Sequence, residues 1–179
     1  LFYEAKKYFA NILWPYAKLI DKALAKAAAL DLKMIATAHG IIWRSHIQEI
    51  IAKYAAWGKG VSGSSVVIDY DTMWGATEQM ARAVLEGVVS AGSDAVLLRM
   101  NETPNSTAVA DLFEAGGMII GSSTLNSGML PTMGSLLVYL KGLNPTGKKA
   151  AVFGTYGWAG GAQKDMEAAK TALKAAIGE

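Results

Sequence analysis

From residue 65 onward the chain alternates short apolar runs with amphipathic stretches, and this alternation limits the possible folds more than any other feature of the sequence. Ser65 to Tyr70 is apolar and β-branched on successive residues, the pattern of a strand covered on both faces. Glu78 to Ala91 then has the spacing of a helix. Asp94 to Met100, Gly116 to Ser122 and Lys148 to Thr155 read as three further strands. Thr107 to Ala115, Leu130 to Leu140 and the alanine-rich run from Gly161 to Ile177 read as the helices between and after them, with Pro131 suited to a first helical turn. Strands alternating with helices predict a parallel α/β sheet. Four strand-and-helix units are present and a fifth is expected to be missing, so the sheet reads as cut short.

The first third of the chain reads differently. It is helical to about Ala29, with Pro15 as a break between two helices, followed by a β-type run ending at Gly40 and a helix of about three turns in "IQEIIAKYAAW". The segment 58–64, "GKGVSGS", is rich in glycine and serine and reads as a flexible linker between domains spanning 1–57 and 65–179. A hydrophobic content of 52% in 179 residues is enough for a buried core and excludes a disordered tail. A net charge of +2 provides no basic stripe, which argues against nucleic acid as a partner. The absence of cysteine excludes a disulfide framework, a thiolate metal site and a cysteine nucleophile, and fits a reducing, cytoplasmic location. Apolar runs fall short of the roughly 18 residues of a spanning helix, so no membrane is expected as a partner. A start at Leu1 rather than methionine leads to the expectation of a piece of a longer chain.

Open parallel sheets bind ligands beyond the carboxyl ends of their strands. Three loops fall there: "DTMWGAT" after the first strand, "SSTLNSGML" after the third and "TYGWAGGA" after the fourth. In the first, Thr72 to Thr77 precedes a helix whose leading N–H groups favour an anion, and the stretch Thr72, Met73, Trp74, Gly75, Ala76, Thr77 holds no lysine or arginine. It is therefore not a triphosphate loop of the Gly-Lys-Ser/Thr type, and neutral donors fit one enclosed phosphate. A helix cap at Thr77 and a sheet-edge cover at Trp74 are the plainer alternatives. In the third loop, Tyr156 and Trp158 flank Gly157, a pattern for stacking on a flat heterocycle, with core or interface filling as the alternative. In the second, Asn126 with Ser122, Ser123 and Thr124 could read the polar edge of a ring. Asp69 and Asp71 raise a phosphoacceptor cluster, but no suitably placed lysine follows the last strand.

The segments "YDTMWGATEQMARAVLEGV", "GSSTLNSGMLP" and "GTYGWAGGAQK" resemble the three FMN-binding loops of the flavodoxin-like domain of flavodiiron proteins. "EAKKYFANILWP" and "TAHGIIWR" are similar to the closing part of that family's metallo-β-lactamase-like domain, which precedes the flavodoxin-like one. The resemblance implies a flavodoxin-like doubly wound sheet of order 2-1-3-4 with its fifth strand missing, behind a mainly helical remnant of the di-iron domain. It implies that Thr72 to Thr77 hold the FMN phosphate. Ser122, Ser123, Thr124, Leu125 and Asn126 would line the ribityl chain and ring, and Thr155, Tyr156, Gly157, Trp158, Ala159 and Gly160 would flank the isoalloxazine. The family commonly has serine at position 76, proline at 123 and asparagine at 127, where this chain has Ala76, Ser123 and Ser127.

From the sequence alone, His39 reads as a hydrogen-bonded structural residue, whereas the resemblance makes it the last histidine ligand of a di-iron centre present in the full-length protein only. The implied activity is reduction of oxygen to water or nitric oxide to nitrous oxide. Electrons would come from a rubredoxin-like or flavin reductase donor, within a head-to-tail homodimer. A flavodoxin-type electron carrier or quinone reductase without iron, and a binding module without flavin, are the alternatives.

Overall fold

The structure is a computed structural model that describes residues 1–60 and 62–177, with side chains to 173. It divides into two compact units, Leu1–Val61 and Ser62–Glu179.

In the first unit, α1 (Phe2–Tyr8) runs through a π-helical turn at Phe9–Leu13 and a 3-10 turn at Trp14–Tyr16 into α2 (Ala17–Ala27). Pro15 lies in the 3-10 turn, where its missing N–H and fixed φ interrupt the α-helical ladder. The β-type run expected up to Gly40 contracts to β1 (Ile35–Ala36), which pairs antiparallel with β2 (Ile42–Trp43). Gly40, at φ 97, makes the turn between them. Next comes α3 (Ile47–Gly58). Its Trp57 and the π-turn residue Phe9 are fully enclosed, with ring centroids 5.4 Å apart, and Tyr54 meets Phe9 edge to face at 5.3 Å. Gly58 lets α3 approach α2 closely, since a Cβ there would stand 3.1 Å from that of Ile20.

The second unit contains β3 (Val66–Asp71), α4 (Ala76–Ser90), β4 (Ala95–Arg99), α5 (Asn105–Glu114), β5 (Gly117–Leu125), β6 (Gly128–Met129), α6 (Pro131–Leu143), β7 (Lys149–Thr155) and α7 (Ala162–Ile177). Four strands pair in parallel in the spatial order β4-β3-β5-β7, which is the expected 2-1-3-4. On one face of the sheet Ile68 and Tyr70 pack on Ala81, Val84, Leu85 and Val88 of α4. Val109, Leu112 and Phe113 of α5 and Met133, Leu136 and Leu140 of α6 are buried as well. Burial on both sides explains why the strands carry unbroken apolar runs instead of alternating ones. Gly121 is required on β5 because the Phe153 ring of β7 lies where a side chain would stand.

Two features depart from the sequence reading. The third strand continues past Ser122 to Leu125 and turns back into β6, with Asn126 at φ 49 and Ser127 at φ 63 in the reversal. Two successive left-handed residues are the signature of a type I′ hairpin, and Asn126 was its one legible sign. The end of the segment read as linker is pinned: Gly63 N–H donates to Glu114 O at 2.7 Å, and a Cβ on Gly116 would collide with Gly63 O. Glycines there serve close backbone approach as much as freedom.

Candidate functional site

Strand register sets the site. Asp71 stands level with Ser122 of β5, and Ser122 and Ser123 stand level with Gly154 and Thr155 of β7. Three strands therefore end in one row, and the loops that follow them share one edge of the sheet.

The first loop is anchored by Asp71. Its Oδ1 accepts Thr72 N–H at 2.8 Å and its Oδ2 accepts the Thr132 hydroxyl of α6 at 2.6 Å. Thr72 Oγ1 in turn accepts Gly75 N–H at 3.0 Å. Gly75 takes φ 89, which favours glycine, and stands as the N-cap of α4 without a side-chain cap. The helix starts at Ala76, two residues earlier than the expected Glu78. Its first intrahelical bond is Gln79 N–H to Gly75 O, so the N–H groups of Ala76, Thr77 and Glu78 precede the ladder. Thr77 is thus not the cap. It lies inside the first turn, fully buried, with its hydroxyl 2.8 Å from Ser123 Oγ and 2.7 Å from Thr155 Oγ1. Thr155 Oγ1 donates to Ser123 Oγ at 3.4 Å, and Met73 N–H donates to the same oxygen at 3.3 Å. One hydroxyl from each loop meets at this point.

Above these hydroxyls lies a depression of about 200 Å³ lined by Met73, Trp74, Ala76, Ser123, Thr124, Thr155, Tyr156 and Gly157. A second, of about 370 Å³, continues from the shared residues Thr124 and Tyr156 to Gly154, Gly160, Gly161, Gln163, Lys164 and Glu167. The aromatic residues of the loops are not core. Trp74 is 92% exposed, Trp158 97% and Tyr156 67%, whereas Trp14, Trp43 and Trp57 are buried. Large rings held in water at the rim of a polar-floored trench are what stacking on a flat ligand requires. The trench is kept narrow by three tethers. Thr124 Oγ1 accepts Ala162 N–H at 3.3 Å, Asp165 Oδ2 accepts Met129 N–H at 3.2 Å, and Gly161 lies so close to Ser127 O that a Cβ would collide with it.

Other expected residues are placed differently. Ser122 is fully buried, and its hydroxyl is engaged by Leu130 N–H at 2.9 Å and Ser123 O at 2.8 Å, so it braces the hairpin. Leu125 and Asn126 lie in the β5–β6 reversal. Trp158 and Ala159 are exposed in the third loop, and neither belongs to the lining of the two depressions. Asp71 and Asp165, which hold the loops, and Gln163 and Lys164, which extend the trench, were missed. Asp71 adjoins the loop in sequence and the other three fall in the first turn of α7, so their positions were the available signal.

His39, in the first unit, is exposed and stacks on Tyr8 with centroids 5.6 Å apart. It opens onto a cavity of about 330 Å³ that Glu4 and Tyr8 also line. Among the described residues no cluster of three or more potential ligands could hold a metal ion. His46 pairs with Glu49 at 2.7 Å. Also among the described residues, no helix is long and apolar enough to cross a membrane.

Comparison with known proteins follows the same outline. The chain is 42% identical over 173 residues to a nitric oxide reductase of Moorella thermoacetica, covering 96% of this chain and 43% of the relative. In structure it matches the rubredoxin oxygen:oxidoreductase of Desulfovibrio gigas with a TM-score of 0.87 at 34% identity, over 94% of this chain and 43% of that one. It matches the flavodiiron protein of Giardia intestinalis at 0.89 and 34%, over 97% and 44%. The chain therefore spans less than half the length of these relatives. The family profile described as Flavodoxin matches residues 68–179, which include all three loops and the sheet that aligns them, and the chain belongs to the flavodoxin family.

Proposed function

We propose that the chain is the FMN-binding, electron-transferring part of a flavodiiron oxidoreductase that reduces oxygen to water, nitric oxide to nitrous oxide, or both. The observation that carries the FMN reading is the trench itself: solvent-exposed Trp74 and Tyr156 over a floor of uncharged hydroxyls at the start of α4, with the exposed Trp158 in the same loop as Tyr156. The donors fit a phosphate, because the N–H groups of Ala76, Thr77 and Glu78 with the positive end of the α4 dipole favour an anion without a cationic side chain. The rings and the uncrowded Gly157 fit an isoalloxazine, since nothing lies within 4 Å of a Cβ placed there. Bound FMN would supply the one- and two-electron chemistry, and the protein's part is to hold, orient and shield it.

Relatives named nitric oxide reductase and rubredoxin oxygen:oxidoreductase support both substrates and a rubredoxin-like donor, with a flavin reductase as the other candidate. In this reading residues 1–57 close a metallo-β-lactamase-like domain, and His39 contributes one ligand to a di-iron centre whose remaining ligands lie in the rest of the protein. A head-to-tail homodimer in a reducing, cytoplasmic compartment completes the proposal. A second reading, an iron-free flavodoxin-type carrier or quinone reductase, accords with the Flavodoxin match over residues 68–179, whereas the relatives that match 94–97% of the chain favour the first. Iron analysis of the full-length protein separates the two.

The test is equilibrium titration with FMN, riboflavin and FAD. Two or more charge-assisted hydrogen bonds to the phosphate should make riboflavin weaker by about a hundredfold or more. Equal affinities for FMN and riboflavin would refute the phosphate site.

A further inference from the structure

Three backbone N–H groups of the first loop have acceptors inside the protein. Asp71 Oδ1 takes that of Thr72 at 2.8 Å, Ser123 Oγ that of Met73 at 3.3 Å and Thr72 Oγ1 that of Gly75 at 3.0 Å. Their direction is fixed, because a backbone amide N–H only donates. The N–H groups of Ala76, Thr77 and Glu78, which precede the α4 ladder, come directly after this set. Asp71 connects the set to a second helix. Its Oδ2 accepts the Thr132 hydroxyl at 2.6 Å, and a carboxylate only accepts. Thr132 is the second residue of α6, which has no side-chain cap of its own, so Asp71 also places negative charge where the α6 dipole favours it. The bonds thus run from α6 through Thr132 to Asp71, on to Thr72 and then to Gly75, from which α4 starts. Asp71 and Thr72 are buried, so removing a member leaves a polar group short of a partner. Neither Asp71 nor Thr132 lines the trench.

We propose that Asp71, braced by Thr132, is a positioning residue for the phosphate: it fixes Thr72 and through it Gly75, so that the amides of Ala76, Thr77 and Glu78 are held in the geometry the phosphate needs, and it raises the preference for FMN over riboflavin without touching the ligand. The inference rests on the FMN reading above. The negative charge of Asp71 by itself disfavours a phosphate nearby, so its contribution comes from the two bonds and not from the charge.

Asp71→Ala, Asp71→Asn, Thr132→Val, Thr132→Ser and the double variant Asp71→Ala/Thr132→Val are titrated with FMN and with riboflavin, with a thermal unfolding midpoint for each protein. Asp71→Ala and Thr132→Val are each expected to weaken FMN by about tenfold, the worth of one hydrogen bond to a charged group, and riboflavin by less than about threefold. Thr132→Val should add nothing in the Asp71→Ala background, since Thr132 acts through Asp71. Asp71→Asn keeps an acceptor for Thr72 N–H and can donate to Thr132 Oγ1, and Thr132→Ser keeps the hydroxyl, so both should bind FMN within about threefold of wild type. If Asp71→Ala does not fold, the contrast between Thr132→Val and Thr132→Ser carries the test. Equal losses for FMN and riboflavin, additive losses in the double variant, or Asp71→Asn as weak as Asp71→Ala would overturn the proposal, because they would mark loop packing or charge instead of the two bonds. Unchanged FMN affinity in Thr132→Val would overturn it while leaving the FMN site standing. A wild-type protein with no preference for FMN would overturn both.

Discussion

Asp69 lies in the middle of β3, 1% exposed, with Oδ1 lacking a hydrogen-bond partner. Burial, and then the nearby Asp111 carboxylate of α5, push its pKa up from 3.8 to about 7. The folded state therefore holds the Asp69 proton more tightly than the unfolded chain does. Its contribution is fully present below the ordinary carboxylate pKa and is lost as pH rises through about 7. Each tenfold gain in proton affinity is worth about 1.4 kcal/mol, so a rise from 3.8 to about 7 predicts a loss on the order of 4 kcal/mol between about pH 4 and about pH 8. Asp69→Asn removes the ionisation at nearly constant shape. Any cost of placing an amide there is the same at both pH values, so it cancels when the pH dependence of the two proteins is compared. Urea unfolding across this range should show the variant gaining on wild type by about 4 kcal/mol from about pH 4 to about pH 8, with most of the gain complete by about pH 7. A 13C titration of the Asp69 carboxyl should give the same midpoint. Parallel stability curves, or a carboxyl titrating at its ordinary value, would refute the reasoning.

Two further substitutions probe the trench. Trp158→Ala should leave the unfolding midpoint nearly unchanged, since the ring is 97% exposed, yet weaken FMN and riboflavin alike by roughly fivefold, about 1 kcal/mol of stacking, read by titration. Gly161→Ala forces a methyl against Ser127 O and should separate the second and third loops. Flavin affinity should then fall by at least about tenfold for both ligands, whereas unaltered binding would show that the tether is dispensable.

The parallel sheet was legible because burial on both faces leaves continuous apolar runs such as Val66 to Ile68, and because Pro131 marks a helix start. The loops were legible because glycine and hydroxyl residues interrupt those runs at the strand ends. The details of the floor were not. Position in sequence makes Thr77 look like a cap, and only the register that brings Ser123 level with Thr155 shows that three hydroxyls meet there. The β5–β6 hairpin was hidden for a related reason. Ser127 at φ 63 occupies a position where glycine is the usual marker, so the turn gave little signal. Asp165 reads as a favourable acid in the first turn of α7, and nothing local tells that it reaches across to Met129.

The central claim is that uncharged groups at the start of α4 bind a phosphate while the aromatic residues of the loops enclose the attached ring. A crystal structure of the FMN-loaded protein tests this most directly. The account predicts phosphate oxygens within hydrogen-bond distance of the Ala76, Thr77 and Glu78 amides, with the isoalloxazine between the Trp74 and Tyr156–Trp158 loops. A phosphate left in solvent, or a flavin seated elsewhere, would contradict it.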